Sequence, residues 1–385
     1  MGLKLTEDQL KLTVSRIRTG MRFAQESLAC IGDDRDNGFS SEHQRNLCLL
    51  SSTYWERRQK PDMRSVNHIM DALLVKQAVV TGGEVEFHLT PRKPDFEELS
   101  LAMQDGVNHA WNILNLQREC RKAQWDSYIY KRGGVVEVGW LAEAAITAKN
   151  DEEGDSEHEQ LSMAVAGQMV PPAPGLEDYD GSLPGEPVEE QTEPEIKVSR
   201  PFVERFPMVD RWDDKPNLII DPNCVSWDLS TARYVFRRRK EFVEQVKNNP
   251  KYKNTKDLKG AAITYTHESG GIVALTPENE DCEQVEIYDG YTFMDINHDG
   301  REELVHVVLA AEHEKELLAE ETPYPHFLQA GFVNPFPFEI RPGFVADNDN
   351  LECLPDVSRV RDKQVSFDEA WTQIEYQRAH SPNIM

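Results

Sequence analysis

Apolar residues recur at three- and four-residue intervals from the start of the chain. Leu10, Val14, Ile17 and Met21 share one face of a 3.6-residue repeat, and Thr6 with Gln9 forms a capping box that predicts where this helix begins. Ser41 and Gln44 open a second helix that runs to about Gln59, before Pro61. A third is predicted from Asp62 to Val80, stopped by Thr81-Gly82-Gly83. The period then falls to two: Val85, Phe87 and Leu89 alternate, predicting a strand over Glu84–Thr90 closed by Pro91. Asp95 and Glu98 start a long helix to about Lys131, with Leu99, Met103, Ala110, Leu114, Trp125 and Tyr128 as its apolar face. Gly133-Gly134 ends it, and Val135–Trp140 reads as a strand.

Patterning stops abruptly after that strand. Asp151–Glu195 holds 14 acidic residues, six prolines and no Lys or Arg, so it buries too little apolar surface to offset its chain entropy. Order resumes near Val198 with an alternating run from Pro201 to Val209. Leu218–Ile220 is a short strand before Asp221-Pro222, and Arg233–Lys247 is predicted as helix with Phe242, Val243 and Val246 inward. Ala261–Tyr265 and Gln284–Tyr288 read as strands, and Tyr291–Met294 with Glu303–Ala311 as a hairpin. Pro323–Pro342 is rich in Pro and Phe and reads as irregular; a last helix runs from about Val357 to Arg378. The expected class is α+β, mostly long helices with short antiparallel strands and hairpins. The expected divisions are 1–150, an acidic Pro-rich disordered insertion over 151–197, a mixed part over 198–356 and a final helix over 357–385.

Charge narrows the partners. The 385 residues carry 68 Asp and Glu against 42 Lys and Arg, a formal charge of −26. Such a surface repels DNA, RNA and anionic membranes, whereas proteins that grip a phosphate backbone do so with a net basic face. The six cysteines are irregularly spaced with no C-x-x-C pair, which argues for reduced thiols and against a zinc site or disulfide framework. The first ten residues lack the apolar region of a secretory signal, and no stretch approaches the roughly 20 apolar residues of a membrane span.

Few motifs carry chemistry. Asp295, Asn297 and Asp299 followed by Gly300 match the first half of a calcium loop. The twelfth position is His306 instead of Glu, so bound calcium and a plain polar hairpin turn are both open. There is no phosphate loop, dinucleotide fingerprint, H-E-x-x-H or G-x-S-x-G, and nothing argues for an enzyme. Two basic clusters stand out: Arg237, Arg238, Arg239 and Lys240, and Arg359, Arg361 and Lys363 at the start of the last helix. Each is read as a solvated face or as salt-bridged to acidic neighbours.

The order of segments resembles the portal proteins of tailed bacteriophages. The likeness lies in Arg64-Ser-Val-Asn67-His-Ile running on to Val85–Pro91, and in the long helix after Pro94 closing on Gly-Gly into Val135–Gly139. It continues with Leu218–Pro222 leading to Ala232–Phe236, the Asp295–Gly300 hairpin, and Pro335-Phe336 before a helix carrying Asp362 and Gln364. The resemblance implies a wing domain with a first stem helix over about 362–380, and no catalytic or cofactor site. In that family the chain continues through clip, second stem helix and crown, for which there are no residues here.

The resemblance further implies a structural virion protein at one capsid vertex, made in the host cytoplasm. About 12 copies would form a ring that passes the genome during packaging and ejection. Partners would be the major capsid protein, a separate terminase motor, and head-tail adaptor or tail proteins, with only transient DNA contact and no membrane. Arg359, Arg361 and Lys363 are then the candidate channel- and DNA-facing residues. Two other readings remain open: a calcium-responsive adaptor using the Asp295 loop, and a metal-assisted hydrolase using Asp295, Asp299, Glu302 and His306.

Overall fold

The structure, a computed structural model of the chain, describes residues 3–28, 39, 41–60, 62–83, 85–91, 93, 96–142, 199–210, 215–260, 263–266, 272–275, 283–311, 314–322, 334–345, 351 and 353–380. The acidic insertion, residues 323–333 and the five C-terminal residues lie outside them. The chain divides into two compact units, residues 1–139 with 202–385, and residues 140–201. Of the second unit only three residues at each end are described. The architecture is α+β.

Helix α1 (Glu7–Leu28) begins where the capping box places it. Thr6 Oγ1 accepts from Gln9 N at 3.3 Å, and Gln9 Oε1 accepts from Thr6 N at 2.9 Å. The helix lies on a five-stranded antiparallel sheet ordered β3-β4-β7-β8-β9. These strands are β3 (Leu218–Ile220), β4 (Tyr234–Phe242), β7 (Gln284–Met294), β8 (Glu303–Ala310) and β9 (Lys315–Glu321). Ile17, with Leu10, Val14 and Met21 partly buried, packs on Ile219, Phe236, Val305, Val307 and Leu309. Contact is close at Gly20, where a Cβ would sit 2.6 Å from Ile219. The opposite sheet face joins two further cores. One gathers Leu218, Ile220, Val235, Tyr291 and Phe338. The other sets Val285, Ile287 and Val308 against Val243 and Val246 of α7 (Val243–Asn248).

A helical group forms the other half of the first unit. It comprises α2 (Glu42–Leu50), α3 (Tyr54–Arg57), α4 (His68–Thr81), α6 (Leu116–Ser127) and the long α8 (Asp356–His380). Trp55, Ile69, Leu73, Tyr128 and Val357 meet in its core. A three-stranded sheet, order β10-β1-β2, links β10 (Phe338–Arg341), β1 (Gly134–Ala142) and β2 (Ser199–Phe206). The strands β5 (Ile263–Thr266) and β6 (Ile272–Leu275) pair as a separate hairpin.

Several expected boundaries shift for local reasons. Arg233–Lys247 is strand β4 followed by the short α7, not a helix. Tyr234, Val235 and Phe236 suit a pleated surface, and β4 is paired on both sides, with β3 and along its whole length with β7. The helix expected over 95–131 is broken at Asn115, whose φ of +50° is left-handed, a conformation Asn tolerates better than most residues. It therefore forms α5 (Glu97–Ile113) and α6. The second predicted helix breaks at Ser52, also left-handed with φ +62°. The third starts only at His68, because Asn67 caps it by accepting from Met70 N at 2.9 Å.

Residues 85–90 form no strand. The side chains of α5 stand in for a strand partner: Asn108 bonds both the N–H and the carbonyl of Phe87, at 2.9 and 3.1 Å, and Gln104 accepts from Leu89 N at 3.0 Å. Within the stretch read as irregular, Phe338–Arg341 is β10, antiparallel to β1 with Gly134 opposite Arg341.

Candidate functional site

The Asp295 loop is the turn of the β7–β8 hairpin, and its side chains are used on the loop itself. Asp295 accepts from Asp299 N at 3.2 Å and from Gly300 N at 2.9 Å, one bond on each carboxyl oxygen. Asp299 accepts from Arg301 N at 2.8 Å, and Asn297 donates to Glu303 at 3.0 Å. His298 and Gly300 take positive φ, which closes the turn. Gln9 of α1 donates to the Asp295 carbonyl at 2.9 Å. Among the described residues no group of three or more His, Cys, Asp or Glu is arranged to hold a metal ion.

The hydrolase quartet is dispersed. Glu302 pairs with Arg233. His306, on β8, points along the sheet to Asp289 at 2.7 Å and Glu320 at 3.0 Å, and stacks on Tyr291. Burial opposes charging of this imidazole, but the two carboxylates outweigh it and raise its pKa to about 9. Burial likewise pushes the Asp289 carboxyl up, and His306 with Arg239 and Arg237 overcomes that and holds it low.

The basic cluster on β4 belongs to the same network. Arg237 pairs with Glu137 and Glu204 and lies over the Phe206 ring. Arg239 reaches Asp289 and Glu241, each at 3.0 Å, and Arg238 is fully buried against Glu286 at 2.7 Å. Lys240 meets Asp210 at 3.2 Å. Of the two readings given for this cluster, these four side chains adopt salt bridges to acidic neighbours. The reading as a helix obscured the pattern, since strand alternation would have put Arg237, Arg239 and Asp289 on one sheet face.

The second basic cluster sits on α8. Arg359 contacts Asp356 at 3.5 Å and lies over Phe344, Arg361 meets Asp362 at 2.7 Å, and Lys363 is exposed. The helix is fixed through its first half. Asp368 is fully buried and accepts from Trp55 Nε1 at 2.9 Å, Val66 N at 3.2 Å and Gln364 Nε2 at 2.8 Å. Gln364 also donates to the Val66 carbonyl at 2.6 Å, and Thr372 accepts from Arg64 N at 3.0 Å. Two segments 300 residues apart in the chain, Arg64–Asn67 and the Gln364 turn, are thus clasped together. Beyond Asp368 no residue of α8 is buried. This clasp was not legible in the sequence, where Asp368 is one acid among 68.

A family described as phage SU10 portal protein has a sequence model that matches residues 63–339, more than two thirds of the chain. The chain belongs to this portal protein family. No curated protein matches it. The matched region of this portal protein spans the Arg64–Asn67 segment, α4 to α6, and the five-stranded sheet through β9. The portal protein family is a structural one. Among the described residues of this portal protein no helix is long and apolar enough to cross a membrane.

Proposed function

We propose that this chain is the ring-forming subunit of a phage portal vertex, the channel through which the genome is packaged and ejected. The family match over residues 63–339 carries this reading. The ring would hold about 12 copies in the virion, seated among major capsid proteins, with a terminase motor docking on one side and head-tail adaptor or tail proteins on the other. The absence of any phosphate-loop motif in the sequence fits a motor supplied by another protein.

Charge supports the reading as well. About half of the net −26 comes from the insertion, and the remainder is still acidic. Each phosphate neutralised by Lys or Arg adds affinity and drag, so an acidic wall suits DNA that slides. Arg359, Arg361 and Lys363, on the helix read as the first stem, are the residues we assign to transient phosphate contact. The calcium-adaptor reading draws on the Asp295 loop alone, and both carboxyl oxygens of Asp295 already accept from the loop backbone. Electron microscopy of the purified protein tests the proposal: rings of fixed rotational symmetry are expected, and a persistent monomer under assembly conditions overturns it.

A further inference from the structure

Residues 85–90 alternate like a strand, yet one of their two backbone edges is unused. Gln104 and Asn108 of α5 stand one helical turn apart, a rise of about 6 Å. That matches the roughly 6.7 Å between alternate residues of an extended chain, so these amides reach Phe87 and Leu89 and skip His88. In an extended chain the N–H and carbonyl groups of successive residues leave on opposite edges. Those of Glu86, His88 and Thr90 accordingly face away from the amides of α5. Among the described residues nothing bonds these backbone groups. An open edge of this kind is a template for another strand.

The side chains specify which strand fits. Val85, Phe87 and Leu89 fall on one face, and Glu86 and His88 on the other. Val85 is 45% and Leu89 37% exposed, and Phe87 rests against Trp111 with ring centroids 5.2 Å apart. Glu86 and His88 are exposed, with Glu86 Oε2 lying 3.8 Å from His88 Nε2. The pattern is the same from either end, apolar, polar, aromatic, polar, apolar, except that acid and imidazole change places.

A second copy laid antiparallel, with Phe87 opposite Phe87, therefore sets Glu86 opposite His88 and Val85 opposite Leu89. In this register the two open edges meet. Glu86 and His88 form the hydrogen-bonded pairs, and Val85, Phe87 and Leu89 the closer non-hydrogen-bonded ones. Each Glu86 then has an imidazole beside it in its own copy and another across from it. A slip of the register by one pairing step either way sets Glu86 against Glu86 or His88 against His88, like against like.

We propose that residues 85–90 form a two-fold antiparallel strand pair between two copies of this chain. Such an isologous contact closes on itself and joins two units, whether single subunits or whole rings. It is a different contact from the one that repeats around a ring.

Cysteine cross-linking of the full-length protein reads the register. Non-hydrogen-bonded partners have Cα atoms about 4.5 Å apart, within reach of a disulfide. Val85→Cys chains mixed with Leu89→Cys chains and treated with oxidised glutathione are expected to give a disulfide dimer. Either variant alone is expected to give no more than the wild type, whose own free cysteines set the background. In a second arm, His88→Pro removes an outward N–H that nothing in its own chain accepts. It is expected to weaken association about tenfold or more in sedimentation equilibrium, with an unchanged circular dichroism spectrum. Cross-linking no better in the mixture than in the single variants overturns the pairing, and that is also the outcome if the edge is kept for a strand of another protein. Association that His88→Pro leaves intact overturns it as well. Rings seen by electron microscopy are expected with all three variants, so failure of the strand pair leaves the ring reading standing.

Discussion

Replacing Asp368 by Ala removes one acceptor group and strands three donors. Trp55 Nε1, Val66 N and Gln364 Nε2 all end on the two Asp368 oxygens, and the residue is fully buried. Gln364 keeps its bond to the Val66 carbonyl, so two donors are left wholly unpaired and one partly so. A buried unsatisfied donor costs about 1–3 kcal/mol, which places Asp368→Ala at about 3–5 kcal/mol, a large fraction of a typical domain stability. Asp368→Asn keeps one oxygen and should cost about half as much. Trp55→Phe removes a donor together with its need for an acceptor. In its background Asp368→Ala should therefore cost about 1–2 kcal/mol less than in the wild type. Urea unfolding followed by circular dichroism gives these differences. An Asp368→Ala cost below about 1 kcal/mol, or a cost unchanged by Trp55→Phe, would refute the idea that this clasp seats α8.

Other perturbations separate the sheet and its turn. The His306 pKa, raised from 6.5 to about 9, contributes stability that is complete below pH 6.5 and lost as the pH rises through 9, at most about 3 kcal/mol. His306→Gln should flatten this part of the melting-temperature profile; parallel profiles would exclude the imidazolium. On the acid side Asp289 and Glu320 are held low, so their contribution is present above the ordinary carboxylate range and fades as the pH falls through their depressed values. A Cβ on Gly290 would meet the Val235 carbonyl at 2.3 Å and Phe236 Cα at 2.5 Å, so Gly290→Ala should cost about 1–3 kcal/mol in urea unfolding. Asp295→Ala should cost about 1 kcal/mol by loosening the turn, by the same amount in calcium as in EDTA; a calcium-dependent difference in melting temperature would revive the metal reading.

What the sequence revealed follows from how local each cause is. The α1 cap was legible because Thr6 and Gln9 bond each other three residues apart. The β7–β8 hairpin was legible because the alternation of Tyr291–Met294 and the Asp-Asn-Gly turn sit side by side. Strand β4 was misread because its Arg-rich run resembles a solvated helix until Asp289, Glu137 and Glu286 are brought beside it from elsewhere in the chain. Likewise, the apolar face expected on the long helix is present at Leu99 and Met103, but periodicity could not say that it is left exposed. Asn115 ends α5 through one residue's backbone angle, a choice for which spacing gives no warning.

The uneven seating of α8 has a consequence for when its outer half becomes rigid. Its first half is clasped by side chains from α2, α3 and the Arg64–Asn67 segment, whereas among the dozen residues after Asp368 none is buried and the tie to the rest of the chain is the bond Thr372 accepts from Arg64 N. Growing from a helix already formed, that stretch needs no new nucleus, but propagation alone is close to neutral and no buried side chain adds to it, so it frays from its free end. In an isolated subunit the outer half therefore frays and reforms while the inner half stays shut. A neighbour that covers Trp371 and Ile374 would stop the fraying, so that subunit contact and helix completion are one event. Slow amide exchange along residues 369–380 would then mark an assembled copy, and fast exchange a subunit still waiting for its neighbour.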